Sequence, residues 1–171
     1  VQSLKIDPSR VNPQLKQGDP KTTVCQVAET EQSDLVIMGS RGFGRLQSIL
    51  ENSVSQYVFQ LTSRPMLLVK DDIYVKKIKR VMVAIDKSES AKQSLDLALS
   101  LVKEVDGGQI ILVHVTKDLT GKSTEDLTAN AEKDPVLAPA VALAKQMGVS
   151  YRCASATGKP GETICRFTDE M

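Results

Sequence analysis

The stretch Val81-Met-Val-Ala-Ile-Asp86-Lys-Ser88 decides the fold: five consecutive apolar residues run into an acidic residue and a hydroxyl side chain. Continuous apolarity, rather than alternation, marks a strand covered on both faces, as in a parallel sheet sandwiched between helices. Three further runs read the same way: Asp34-Leu-Val-Ile-Met38, Met66-Leu-Leu-Val69 and Ile110-Ile-Leu-Val-His-Val115. A weaker strand is expected at Val149-Ser-Tyr-Arg-Cys-Ala154.

Helical patterns lie between these runs. Ala91, Leu95, Ala98, Val102 and Val105 share one face and predict a helix from about Ser90 to Val105. Ser90 with Gln93 forms its capping box, and Gly107-Gly108 its stop. Leu46, Ile49, Leu50, Val54, Tyr57, Val58 and Leu61 predict a second helix, closed by Pro65. A third begins with Asp19 as N-cap and Pro20 as first residue, burying Val24, Val27 and Ala28. A fourth runs from about Pro135 to Met147, with Pro139 tolerated only in its first turn. Strands alternating with helices place the chain in the α/β class, with a doubly wound parallel sheet flanked by helices.

Working outward, the chain has 171 residues, 41% of them hydrophobic and 25% charged, too apolar for a disordered segment. No apolar run approaches the ~18–20 residues that span a bilayer, and the opening Val-Gln-Ser-Leu-Lys lacks a signal peptide's apolar stretch. With 22 basic and 21 acidic residues, the net charge of +1 gives no electrostatic reason to expect nucleic acid or a membrane as partner. The densest basic cluster, Lys76, Lys77, Lys79 and Arg80, reads as a solvated linker. Cys25, Cys153 and Cys165 form no CxxC pair and leave an odd one over, so a reduced, cytoplasmic setting is expected. A lone His114 in an apolar run argues against a His-based metal cluster or a Ser-His-Asp triad.

The chain also repeats itself. Gly18-Asp-Pro-Lys-Thr-Thr-Val-Cys25 aligns with Gly158-Lys-Pro-Gly-Glu-Thr-Ile-Cys165 at an offset of 140 residues, with four of eight positions identical. Both copies set a glycine-proline turn at the start of a helix. Two other segments face a ligand. Met38-Gly-Ser-Arg-Gly-Phe-Gly44 follows a buried strand and precedes a helix, where glycines let backbone N–H groups approach an anion. It reads equally as a plain tight turn, because Gly39, Gly42 and Gly44 match neither the dinucleotide fingerprint nor a P-loop. Asp86, at a strand's carboxyl end, can accept from a ribose hydroxyl or a base amine, or cap the following helix; Ser88 carries the same two readings.

Val81-Met-Val-Ala-Ile-Asp86-Lys-Ser88, followed by an amphipathic helix and Ile111-Leu-Val-His-Val115, closely resembles the opening of a universal stress protein domain. Gly18-Asp-Pro20, Asp34-Leu-Val-Ile-Met-Gly39-Ser-Arg-Gly42, Ser53-Val54 and Arg64-Pro-Met-Leu-Leu-Val69 resemble the second half of one. This order is that of a tandem-domain member trimmed at both ends, which also fits the missing initiator Met. Residues 1–70 are then the C-terminal half of a first domain, 71–79 a linker and 80–171 the N-terminal part of a second.

The resemblance implies a five-stranded parallel sheet of order 3-2-1-4-5, incomplete or permuted here, and association through the last strand. It implies ATP as ligand, with Mg²⁺ accompanying it, on a loop of pattern Gly-x2-Gly-x9-Gly-Ser/Thr. Gly39, Gly42 and Ser53 match that pattern, while Asn52 stands where the third glycine belongs. Asn tolerates positive φ, yet its side chain crowds a phosphate. The adenine-side positions correspond to Asp86 and Val115, and a backbone contact after the loop to Val54. Asp86 and Val115 belong to the later unit and the glycine loop to the earlier one, so neither half makes the whole site from its own unit. The ten-residue connection Lys70–Lys79 reaches about 33–36 Å when extended, enough for a permuted sheet but with no helix to cover it. The other arrangement is two partial sheets.

The expected function is a non-catalytic adenine-nucleotide-binding or dimerising module in stress response. One alternative is an interaction module that binds no nucleotide. Another is a weak ATPase, in which Asp86 or Ser53 would serve Mg²⁺. No catalytic residue and no resident metal are expected; the expected partners are an adenine nucleotide and a second universal-stress-type domain.

Overall fold

The computed structural model describes residues 7–40, 53–70, 77–117, 124–126 and 131–170. The chain divides into two compact units, Val1–Tyr74 and Val75–Met171, each built around its own sheet. Among the described residues the first unit holds a two-stranded sheet and the second a four-stranded one.

In the first unit, α1 (Pro20–Thr30) starts as its residues dictate, with the Asp19 carboxylate accepting from Thr22 N–H and Pro20 in first position. It ends on Gln32 at φ 50°, where Ser33 N–H bonds back to the Ala28 carbonyl. This is the glycine-type helix stop made without glycine. Strand β1 (Val36–Ser40) pairs in parallel with β2 (Met66–Lys70), Val36 opposite Met66 and Gly39 opposite Val69. Between them α2 (Val54–Leu61) is capped by Ser53 and buries Val58; the earlier part of the expected helix lies outside the described residues. Glu29 of α1 takes hydrogen bonds from Ser63 and Arg64, tying the two helices' ends together. Both faces of the sheet are partly open: on one, Val36, Met38 and Met66 are half-buried while Leu68 is 43% exposed, and on the other Ile37 is 61% and Leu67 39% exposed. Of the three side chains α1 was expected to bury, only Ala28 is buried; Val24 and Val27 stay half-exposed because few strands lie beneath them.

The second unit carries β3 (Arg80–Ala84), α3 (Glu89–Val102), β4 (Gln109–Lys117), β5 (Thr124–Asp126), α4 (Ala138–Gln146), β6 (Ser150–Gly158) and α5 (Pro160–Glu170). The sheet order is β3-β4-β6-β5, parallel except for β5. Read from β6 to β3 this is the 3-2-1 part of the expected order, and β1-β2 is its 4-5 part. Alternation of side chains splits the core. Val83, Ile85, Ile110, Leu112 and Cys153 pack under α3 and α4, while Ile111, Val113, Ala154 and Ala156 pack under Phe167 of α5.

Three details depart from expectation. Ser88, not Ser90, caps α3: its Oγ accepts from Ala91 N–H at 3.1 Å. The helix ends at Val102 rather than Val105, because the chain turns sharply to Gly108, where a Cβ would meet the Val102 carbonyl oxygen at 2.2 Å. Strand β5 had no apolar run to announce it. By contrast Pro139 does sit in the first turn of α4, and α5 spans positions that lie 140 residues beyond those of α1.

Candidate functional site

Parallel α/β sheets hold ligands at the carboxyl ends of their strands, where the chain leaves for a helix. In the second unit two expected residues meet there. Ala84 lies opposite Val113, and the Ile85 N–H continues the ladder to the Val113 carbonyl at 2.7 Å. Asp86, two residues past β3, and Val115, still paired within β4 two residues before its end, therefore lie level with each other on adjacent strands. The exposed Asp86 carboxylate is held by Ser88: Oδ1 accepts from the Ser88 hydroxyl and, at 2.8 Å, from the Ser88 N–H. Ser88 Oγ in turn caps α3. The capping role that Asp86 and Ser88 shared in the sequence thus falls to Ser88, and Asp86 is its buttress. The Ser88 hydroxyl first, and its backbone N–H second, hold the Asp86 carboxyl below the usual carboxylate range.

In the first unit Gly39 sits near the carboxyl end of β1, and a Cβ built there meets nothing within 4 Å. Space for an approaching group exists, although close packing does not demand glycine. Ser53 has its hydroxyl engaged: Oγ accepts from Gln56 N–H at 3.1 Å and lies 3.2 Å from Ser55 Oγ. Val54 is the first, half-buried residue of α2. Gly42 and Asn52 lie outside the described residues. Asp86 and Val115 thus stand in one unit and Gly39, Ser53 and Val54 in the other.

One pair escaped sequence reasoning. His114 Nδ1 lies 2.7 Å from Asp134 Oδ2, with side chains only 18% and 14% exposed. An ionised carboxylate only accepts, so the Nδ1–H donates. Asp134 Oδ1 also accepts from Val136 N–H at 2.8 Å, and its carbonyl accepts from Leu137 and Ala138 N–H at 3.0 Å each. Asp134 therefore organises the turn into α4 and fastens it to β4 through His114. Burial pushes the Asp134 carboxyl up, but the His114 and Val136 hydrogen bonds outweigh it and leave it below its ordinary value. The Asp134-Pro135 dipeptide before a helix was the available signal.

Burial drives the Cys153 thiol up to about 11, so it stays protonated and inert. Among the described residues no three His, Cys, Asp or Glu side chains gather as a metal site, and no helix is long and apolar enough to cross a membrane.

A model of the Universal stress protein family matches residues 3–70 and 77–171. The Universal stress protein A-like protein of Arabidopsis thaliana is 34% identical over 56 residues, 33% of this chain and 32% of that protein. Universal stress protein MJ0577 of Methanocaldococcus jannaschii is 40% identical over 53 residues, 31% of this chain and 33% of that protein. A crystal structure of a universal stress protein from Archaeoglobus fulgidus superimposes with a TM-score of 0.67 at 29% identity, covering 90% of this chain and 51% of that one. The matches thus take in about a third of those two relatives' length and about half of the solved chain.

Proposed function

Because this chain belongs to the universal stress protein family, we propose that it is a non-catalytic adenine-nucleotide-binding module of the cytoplasm, built from parts of two tandem domains. The observation that carries this reading is the Asp86–Ser88 arrangement beside the end of β4. An exposed carboxylate, kept ionised and fixed in direction by two Ser88 hydrogen bonds, is an acceptor prepared for an adenine amine or a ribose hydroxyl. Val115 supplies an apolar neighbour for a base plane. In the other unit, Gly39 and the start of α2 at Ser53 and Val54 offer backbone for phosphates, and Mg²⁺ enters with ATP. None of these residues forms a nucleophile–base pair, which is why binding without turnover is preferred to ATPase activity.

Calorimetric titration with Mg·ATP tests the reading. The unmodified chain should bind, and Asp86→Ala should weaken binding about 10- to 150-fold, the range of a hydrogen bond to a charged group. Gly39→Asp should abolish binding while leaving the circular dichroism spectrum unchanged, since the added side chain finds open space. Because the Ser88 hydrogen bonds hold the Asp86 carboxyl below its ordinary value, affinity should hold on mild acidification and fall as pH drops through that lowered value. A chain that takes up no ATP would leave the nucleotide-free interaction module as the better description.

A further inference from the structure

Strand β4 outlasts its neighbour. Its pairing with β3 ends at Ala84 opposite Val113, closed by the Ile85 N–H on the Val113 carbonyl. Its pairing with β6 continues to Lys117 opposite Gly158. The stretch from His114 to Lys117 therefore projects with a strand neighbour on one side only, among the described residues. The open side is the one that Asp86 borders. A strand end with half its ladder missing has fewer contacts to oppose local opening, so what fixes it must come from the faces of the sheet.

Both faces supply an anchor, because side chains alternate across the strand. Val115 packs with Val113 on the cluster around Phe167. His114 lies on the opposite face, with Leu112, and there its Nδ1–H donates to Asp134 Oδ2 at 2.7 Å. Asp134 is itself held on several sides. Its N–H donates to the Ala131 carbonyl, its Oδ1 accepts from Val136 N–H, and its carbonyl accepts from the N–H of the fully buried Leu137. Such a carboxylate is a rigid post, and the ring fastened to it is only 18% exposed. The ring also neighbours the ligand-facing carboxylate: after the dominant Ser88 hydrogen bonds, the charge of His114 is a further influence on Asp86.

We propose that His114, locked by Asp134, is a positioning residue for the ligand: it holds the projecting end of β4, and Val115 with it, at a fixed distance from Asp86. Resting on the nucleotide reading above, His114 acts through Val115 rather than by touching the ligand. The lock also sets the ring's own state. With Nδ1–H committed to Asp134, the neutral ring keeps Nε2 as its remaining acceptor.

Calorimetric titration with Mg·ATP tests the role on the unmodified full chain, His114→Leu and His114→Asn, each confirmed folded by circular dichroism. Leucine fills the space and donates nothing, whereas the asparagine amide N–H stands near the place of Nδ1–H and still donates to Asp134. His114→Leu should bind about 10-fold more weakly, the lower end of what removing an orienting partner costs at metal sites, and His114→Asn should recover most of that loss. Two readouts need no nucleotide. His114 is the chain's only histidine, so the ¹⁵N spectrum of the histidine-labelled protein reports one ring, which should be the Nδ1–H tautomer. Hydrogen exchange should quicken at residues 115–117 in His114→Leu while residues 110–113 stay slow. Equal affinity of His114→Leu and the unmodified chain, no recovery in His114→Asn, or an Nε2–H tautomer overturns the positioning role. Exchange that quickens evenly along β4 overturns it too, whatever the chain binds. Selective exchange at residues 115–117 in a protein that takes up no ATP supports the held strand end and overturns the nucleotide reading instead.

Discussion

His114 shows how a residue's weight depends on a partner that sequence proximity does not reveal. Alone in a strand it promised no chemistry; twenty positions later Asp134 makes it the fastening of a helix to a sheet. Removing the imidazole by His114→Ala leaves a mostly buried carboxylate with fewer donors and should cost unit 2 about 1–3 kcal/mol in denaturant unfolding at pH 7. Asp134→Asn tests the linkage. The folded Asp134 carboxyl is held below its unfolded value. Its stabilisation is therefore fully present above the unfolded pKa and lost as pH falls through the folded one. The stability gap between the unmodified protein and Asp134→Asn should accordingly be widest near neutrality and narrow on acidification through the carboxylate range. Asp86 was legible as a residue but not in its role, because the capping and acceptor readings separate only when Ser88 is seen to do the capping.

Among elements, the strands were readable from their continuous apolar runs, as in Val81–Ile85 and Ile110–Val115; the same mark announced β1 and β2 but not their exposure, since Ile37 is 61% and Leu68 43% exposed. Ends were harder. Two serines two residues apart both satisfied the rules for a helix start, and the hydrogen bond to Ala91 N–H selects Ser88. Ser88→Ala should therefore cost about 1 kcal/mol, whereas Ser90→Ala should stay within about 0.5. The left-handed Gln32 at the stop of α1 was invisible in sequence, since glycine is the residue that signals it. Gln32→Gly should raise the thermal midpoint of unit 1 by relieving roughly 0.5–1 kcal/mol of backbone strain. Strand β5 escaped because its pairing with Ser155–Thr157 is set by β6, not by its own composition.

At the scale of the molecule the two units are unequal. Among the described residues the buried apolar side chains of the first unit are Ala28 and Val58, while the second holds two clusters, one on each face of its sheet. A two-stranded sheet depends on the helices packed against it for its stability. Hydrogen exchange on the unmodified chain should find slow amides in β4 and β6 and fast ones throughout β1 and β2. The antiparallel course of β5 has a bearing on solubility. Fibrous aggregates of sheet proteins lengthen by laying like strands beside like, at whichever margin accepts them. The second unit's outer margin is interrupted by three residues running against the grain, so an added strand meets no continuous parallel template there. The three-residue β5 covers only Ser155–Thr157 of β6, and so short an edge strand gives an added chain few groups to pair with.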